Sequence, residues 1–153
     1  MPHRDEPSGR PVRRSSSPSS DRRRLVGRAG EDLAAAHFAA LGYRVLARNA
    51  RTRHGEIDLV AFDGATLVFA EVKTRTVSRS VRELPSLHEP LAGLRVRQRV
   101  RLRALALAWL SSERSRGSGP ARPVAREIRF DAVGVILDAD GAMLRLDHLE
   151  GAW

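Results

Sequence analysis

No cysteine occurs anywhere in the sequence. A disulfide scaffold, a thiolate zinc site and a cysteine nucleophile are excluded at once. No apolar run approaches the ~20 residues that a membrane helix needs. No apolar segment follows the charges at the N-terminus, so a secretory signal is not expected either. These absences lead to the expectation of a soluble, cytoplasmic protein with no membrane partner. Glycine-rich phosphate loops, G-x-S-x-G and G-x-G-x-x-G are missing as well. The five histidines are not spaced as a metal set. Lysine, asparagine and glutamine are nearly missing. Of 27 basic residues 26 are Arg, and Lys73, Asn49 and Gln98 are each the only residue of their kind. A pressure toward Arg, of the sort a GC-rich genome exerts, accounts for the bias. Where almost every cation became Arg, one surviving Lys invites a chemical explanation.

What is present bounds the answer further. The chain has 153 residues, 42% of them apolar, which suits one domain with a real core. The net charge of +9 points to a polyanionic partner, nucleic acid foremost. A basic proteome or a basic tail is the plainer account of it. Residues 1–24 hold six Ser, four Pro and seven Arg against three acidic residues. Such a segment cannot bury enough apolar surface to offset its ordering entropy, and it reads as a disordered basic tail. Residues 25–153 read as the folded domain.

The hydrophobic pattern orders that domain. A helix begins at Leu25, with Val26, Ala34, His37, Phe38 and Leu41 on one stripe and Gly42 as its C′ residue. Tyr43 to Ala47 is a short strand, and Asn49 to Gly55 a loop. Glu56 to Phe62 and Thr66 to Thr74 are strands around the turn signal Asp63-Gly64. A long connection covers 76–93, and a second helix Leu94 to Ser112. Glu127 to Leu137 and Met143 to Leu149 are strands joined at Asp138–Gly141. The order α-β-β-β-α-β-β predicts an α/β domain with a central mixed β-sheet flanked by helices.

The central hairpin carries the chemistry. Strand side chains alternate, so Glu71 and Lys73 share a face. A two-residue turn at Asp63-Gly64 puts Asp58 opposite Phe69, with Glu71 its diagonal neighbour about 7–8 Å away or less. Asp58, Glu71 and Lys73 then converge on one side, and Ile57, Leu59, Val68, Ala70 and Val72 take the other. Two carboxylates and an ammonium on a mostly apolar sheet are costly unless paired or bound to a metal. Mg²⁺ takes carboxylate and water oxygens and leaves room for phosphate. A structural salt bridge on an amphipathic strand is the competing explanation. Glu31 lies beside the apolar stripe of the first helix and can look toward the sheet; a favourable helix-dipole interaction also explains it. Gln98 sits on the buried stripe of the second helix, suited either to a water or phosphate or to a strand carbonyl. Arg95, Arg97, Arg99, Arg101 and Arg103 ring that helix, and Arg48, Arg51 and Arg53 surround the Asn49–Gly55 loop. Arg runs of this kind are solvated faces or contacts to a phosphate backbone.

Gly30-Glu31, Arg48-Asn49-Ala50-Arg51, Gly55-Glu56-Ile57-Asp58-Leu59-Val60 and Phe69-Ala70-Glu71-Val72-Lys73-Thr74-Arg75 together resemble the YraN-like bacterial proteins. Arg97-Gln98, Arg129-Phe130-Asp131 and the ending His148 to Trp153 share the resemblance, whereas Leu87 to Arg97 as a whole matches least. That family is placed among endonucleases of the PD-(D/E)xK superfamily, similar to archaeal Holliday-junction resolvases. The resemblance implies a restriction-endonuclease-like fold and cleavage of DNA, with branched DNA among the candidate substrates. It implies Mg²⁺ or Mn²⁺ held by Asp58, Glu71 and Glu31, with Lys73 and Gln98 completing the candidate catalytic set. Arg48, Arg51, Arg53, Arg75, Arg97 and Arg101 are the candidate nucleic-acid contacts, and a homodimer is a candidate assembly. Two other readings stand beside it: a non-catalytic nucleic-acid-binding module with a vestigial site, and a protein-interaction adaptor.

Overall fold

A computed structural model describes residues 18–77, 96–115 and 124–152, the side chains of 18, 96–99 and 113–115 excepted. Among these residues seven elements follow one another: α1 (Pro18–Ala40), β1 (Arg44–Thr52), β2 (Gly55–Phe62), β3 (Thr66–Thr76), α2 (Val96–Ser115), β4 (Glu127–Leu137) and β5 (Met143–Leu149). This is the expected order. The sheet is five-stranded in the order β1-β2-β3-β4-β5. It is mixed: β3 and β4 run parallel, and the other neighbours are antiparallel.

Each helix covers one face. Ala34 and Phe38 of α1 pack on Leu59, Ala61, Val68, Ala70, Val133, Val135 and Leu137. Leu102, Leu105, Ala106, Trp109 and Leu110 of α2 pack on Ile57, Val60, Leu67 and Phe69. Alternate residues of β2 and β3 thus feed two cores, as expected for strands buried on both faces. The end of α1 follows its sequence signal. Gly42 has φ +89°, and Gly42 N and Tyr43 N donate to Ala39 O and Phe38 O, the double bond of a left-handed helix cap.

Several boundaries differ from the sequence reading: β3 runs on to Thr76 and α2 to Ser115, and three differences bear on the site. Helix α1 starts at Pro18 rather than Leu25, so residues 18–24 are helical and not part of a tail; residues 1–17 lie outside the described residues. Strand β1 runs through Thr52 across the predicted loop, because pairing with β2 continues to Thr52↔Gly55. The β2–β3 connection is longer than two residues: Phe62 pairs with Leu67, and Asp63 Oδ1 accepts from Ala65 N and Thr66 N at 2.8 and 2.7 Å. Asp63 closes that turn with its own side chain, an Asx arrangement. A two-residue shift leaves every side chain on its face, since strand alternation also has period two. The expected 76–93 connection falls largely outside the described residues.

Candidate active site

The β2–β3 ladder stops at Leu59↔Ala70, while β3 stays paired with β4 along its whole length, from Thr66↔Glu127 to Thr76↔Leu137. Beyond Ala70 one edge of β3 is therefore released from β2. Asp58 and Glu71 are next in register at this opening. The Asp58 carboxylate replaces the missing ladder partner: its Oδ2 accepts from Val72 N at 2.7 Å. Glu71 and Lys73 follow on the exposed run of β3, and Lys73 Nζ donates to Glu71 Oε1. Asp58, Glu71 and Lys73 thus meet at one opening, as the alternation argument requires of β3.

Strand β2 departs from the expected alternation. Ile57 packs with Val60 in the α2 core, not beside Leu59 in the α1 core. Strict alternation forbids that, so β2 turns over between them. The cause lies across the ladder. Asn49, between the partners of Leu59 and Ile57, has φ +48°, a left-handed conformation that Asn tolerates better than most residues. The kink carries Asp58 into the gap between β2 and β3.

Helix α1 reaches the same region because Gly30 lets it. A Cβ at Gly30 would stand 1.8 Å from Thr74 Oγ1, so only glycine allows the helix this close to β3. Glu31 is thereby set beside the opening, where Asn49 Nδ2 donates to its Oε2 at 2.7 Å. The lone Asn of the chain thus both kinks β1 and holds Glu31. One residue on, Asp32 pairs with Arg48 of β1.

The electrostatics single out Asp58. Burial and the facing Glu71 carboxylate push its pKa up to about 6, with Glu31 adding to the rise; the Val72 amide and Lys73 oppose it. Glu71 and Lys73 keep side-chain exposures of 22% and 38%, so both reach solvent. Asp58 Oδ1 has no hydrogen-bond partner among the described residues. Among the described residues no three His, Cys, Asp or Glu side chains gather closely enough to enclose a metal ion. Glu31 is thus near the Asp58–Glu71 pair without joining it as a third ligand. A two-carboxylate site remains, which is as many protein carboxylates as Mg²⁺ commonly takes.

The Arg candidates separate. Arg48 is held by Asp32 and ties α1 to β1. Arg51 is 90% exposed and 3.8 Å from Glu56. Arg53 Nε donates to His54 Nε2 at 2.9 Å. Arg75 and Arg101 are exposed, and the Arg101 guanidinium lies over Gly55 at the start of β2. Arg97 and Gln98 lie on α2, but their side chains fall outside the described residues.

Two features escaped the sequence reading. A cleft of about 730 Å³ runs between α1 and the β1–β2 end, lined by Arg24, Arg28, Glu31, Asn49 and Arg51 among others. Asp21, Arg24, Arg28 and Glu31 recur at three- and four-residue spacing, which would have signalled one helix face; assigning 1–24 to a tail hid it. The second feature is a buried polar network. Asp131 is fully buried and accepts from Arg129, His148 Nε2 and Gly151 N. A carboxylate only accepts, so His148 donates through Nε2 and a neutral ring leaves Nδ1 to accept from His37 Nε2 at 3.1 Å. Burial would raise the Asp131 pKa, but these bonds outweigh it and hold it below the ordinary carboxylate value. Burial, reinforced by His148, lowers the pKa of His37. The network joins α1, β4 and β5 and stands apart from the opening.

Comparison with known proteins places the chain. The profile of the uncharacterised protein family UPF0102 matches residues 30–135. A UPF0102 protein of Pelotomaculum thermopropionicum is 39% identical over 134 residues, spanning 88% of this chain and 99% of the relative. One from Frankia casuarinae is 41% identical over 128 residues, 84% of this chain and 95% of the relative. One from Streptomyces griseus is 43% identical over 129 residues, with 84% and 96% covered. The matched span contains Glu31, Asp58, Glu71 and Lys73, and the chain belongs to the UPF0102 family.

Proposed function

We propose that this protein is a metal-dependent endodeoxyribonuclease with a restriction-endonuclease-like core, working on DNA in the cytoplasm. The observation that carries the reading is the Asp58 carboxyl raised to about 6 against Glu71 at a solvent-open break in the sheet. Such a pair is stabilised by a cation, and its hard oxygens suit Mg²⁺ or Mn²⁺. Asp58 and Glu71 would hold the ion, with Glu31 acting through water. When bound, the ion supplies an activated water and screens the phosphate. Lys73 positions that water or meets the phosphate charge, while Val72 N keeps the Asp58 carboxylate aimed into the gap. Arg24, Arg28 and Arg51 line the adjoining cleft together with Asp21, Glu31 and Glu56, and their guanidinium groups are suited to the phosphate backbone.

A second reading is favoured by one observation: Lys73 is satisfied by Glu71, as in a structural salt bridge. It makes the protein a non-catalytic nucleic-acid-binding module. Cleavage of duplex, flap, single-stranded and four-way-junction DNA with Mg²⁺ or Mn²⁺, beside binding in EDTA, separates the two. Under the nuclease reading Asp58→Asn abolishes cutting and leaves binding in EDTA. Lys73→Arg also fails to cut, because a planar, always-charged guanidinium replaces a compact ammonium. Lys73→Arg cutting as well as the parent would assign Lys73 to the salt bridge. Binding without cleavage on every substrate would establish the second reading.

A further inference from the structure

The sheet has two edges, and they are built differently. Edge strand β1 carries Arg44, Arg48 and Arg51 and the left-handed Asn49, the charges and kink that blunt an edge against pairing. Edge strand β5 also carries charge, but of both signs, in Arg145 and Asp147. Its sequence is Met-Leu-Arg-Leu-Asp-His-Leu, and among the described residues it is paired on one side only, with β4. Met143, Leu144 and Leu149 are exposed large apolar side chains. An extra residue, Leu144, interrupts the β4 ladder between Arg145↔Ile136 and Met143↔Leu137, leaving Arg145 to Leu149 as the regular stretch.

The two charges of that stretch choose a partner. Arg145 and Asp147 stand on the same face, bridged along the strand at 2.7 Å. Two copies of one strand that pair edge to edge and antiparallel are related by a two-fold axis perpendicular to the sheet. Opposed side chains must share a face, so the axis passes through a residue. Centred on Arg145, the register opposes two guanidinium groups; centred on Asp147, it opposes two carboxylates. Centred on Leu146, it sets Arg145 opposite the Asp147 of the other copy, twice. Met143 and Leu144 lie beyond the regular stretch, so this register is set by Arg145, Leu146 and Asp147. Of the three registers, it alone makes the edge complementary to itself, as an isologous interface requires.

We propose that β5 is the seam of a homodimer, paired antiparallel with its own copy in the register centred on Leu146. The occupant of this edge is a second copy of the chain. The joined sheet has ten strands, and the two-fold axis leaves both Asp58–Glu71–Lys73 openings on the same side of it. The inference rests on the edge alone and stands whether or not the protein is a nuclease.

The test is sedimentation equilibrium of the full chain across a dilution series. The parent is expected to dimerise reversibly. R145D and D147R each place two like-charge contacts across the seam and should weaken the dimer roughly tenfold or more. An equimolar mixture of the two variants should dimerise again, as a heterodimer, because each introduced charge then meets its opposite. Charge pairing within one strand is broken in both variants and cannot be restored by mixing. A chain with L146C, otherwise free of cysteine, should form a disulfide-linked dimer on mild oxidation, since Cβ atoms of opposed residues approach disulfide distance. A parent that stays monomeric throughout overturns the proposal. So does a dimer indifferent to both charge reversals, or variants that fail to combine while still folded by circular dichroism.

Discussion

Asp58 is the residue where stability and function pull apart. Its pKa is about 6 in the folded chain against an ordinary 3.8, so the folded state holds the proton more tightly than the unfolded one. The stabilisation is fully present below the unfolded value and is lost as pH rises through 6. In metal-free buffer above that pH, ionised Asp58 should cost on the order of 3 kcal/mol. Asp58→Asn keeps an oxygen to accept from Val72 N and removes the repulsion from Glu71. Thermal unfolding in EDTA should find the variant more stable than the parent, with a gain that grows between pH 5 and pH 8. A gain that does not change with pH would mean that Asp58 is not strained by its neighbours. Lys73 and Asn49 show how a rare residue can be read: each is single in the chain and each lies at this opening. Asp131 shows the reverse, since nothing in its local sequence marks it as the buried acceptor of three partners.

At the scale of elements, the site depends on how closely α1 is docked. The helix is 23 residues long, roughly 34 Å, and Gly30 touches β3 near its middle. Gly30→Ala would drive a methyl group into Thr74. The expected cost is about 1–3 kcal/mol of overpacking, with α1 displaced and the Asn49–Glu31 bond lengthened or lost. Thr74→Ala removes the hydroxyl and methyl that clash but leaves Cβ at 2.9 Å, so the double variant should recover part of the loss. Denaturant unfolding of the two single variants and the double variant reads this as a coupling energy. Additive losses would show that the Gly30–Thr74 contact does not hold the helix in place. Helix α1 is also tied by Arg48–Asp32 and by His37–His148, so displacement rather than detachment is expected.

For the whole molecule, charge is the broadest property. The net +9 is shared between residues 1–17 and residues 18–153. Arg4, Arg10, Arg13 and Arg14 precede α1, and a chain lacking residues 1–17 keeps the helix and its Arg22, Arg23, Arg24 and Arg28. Each phosphate neutralised contributes about −0.9 to the log–log salt slope of duplex binding. Removing the segment should therefore flatten that slope by up to ~3.6 if all four Arg engage. Fluorescence anisotropy at several salt concentrations checks it, and an unchanged slope would restrict binding to residues 18–153. The folded chain would then bind through α1, β1 and α2, whose Arg residues come from distant parts of the sequence.

Element order, Ala34 and Phe38 of the first helix stripe, Leu102, Leu105 and Trp109 of the second, the Gly42 cap and the pairing face of Glu71 with Lys73 were legible because they depend on local period and on turn chemistry; Leu41, read onto the first stripe, is half exposed beyond the end of α1. Along β3 the expected faces hold in spite of the wrong turn length, because the error was two residues and strand alternation is blind to that; along β2 they do not hold, since Ile57 and Leu59 feed different cores. What could not be read was every feature that arises between elements. The start of α1 at Pro18 was hidden by a composition that resembles a tail; that the helix extends along a cleft of mixed charge became visible only in the fold. The turnover of β2 at Asp58 comes from Asn49 on another strand. The rise in the Asp58 pKa comes from burial and from Glu71, and the need for glycine at position 30 comes from Thr74, 44 residues away. Local sequence determines which residues can form a strand or a helix. Only packing decides where two strands part, and that separation exposes a carboxylate pair that the ladder would otherwise have closed.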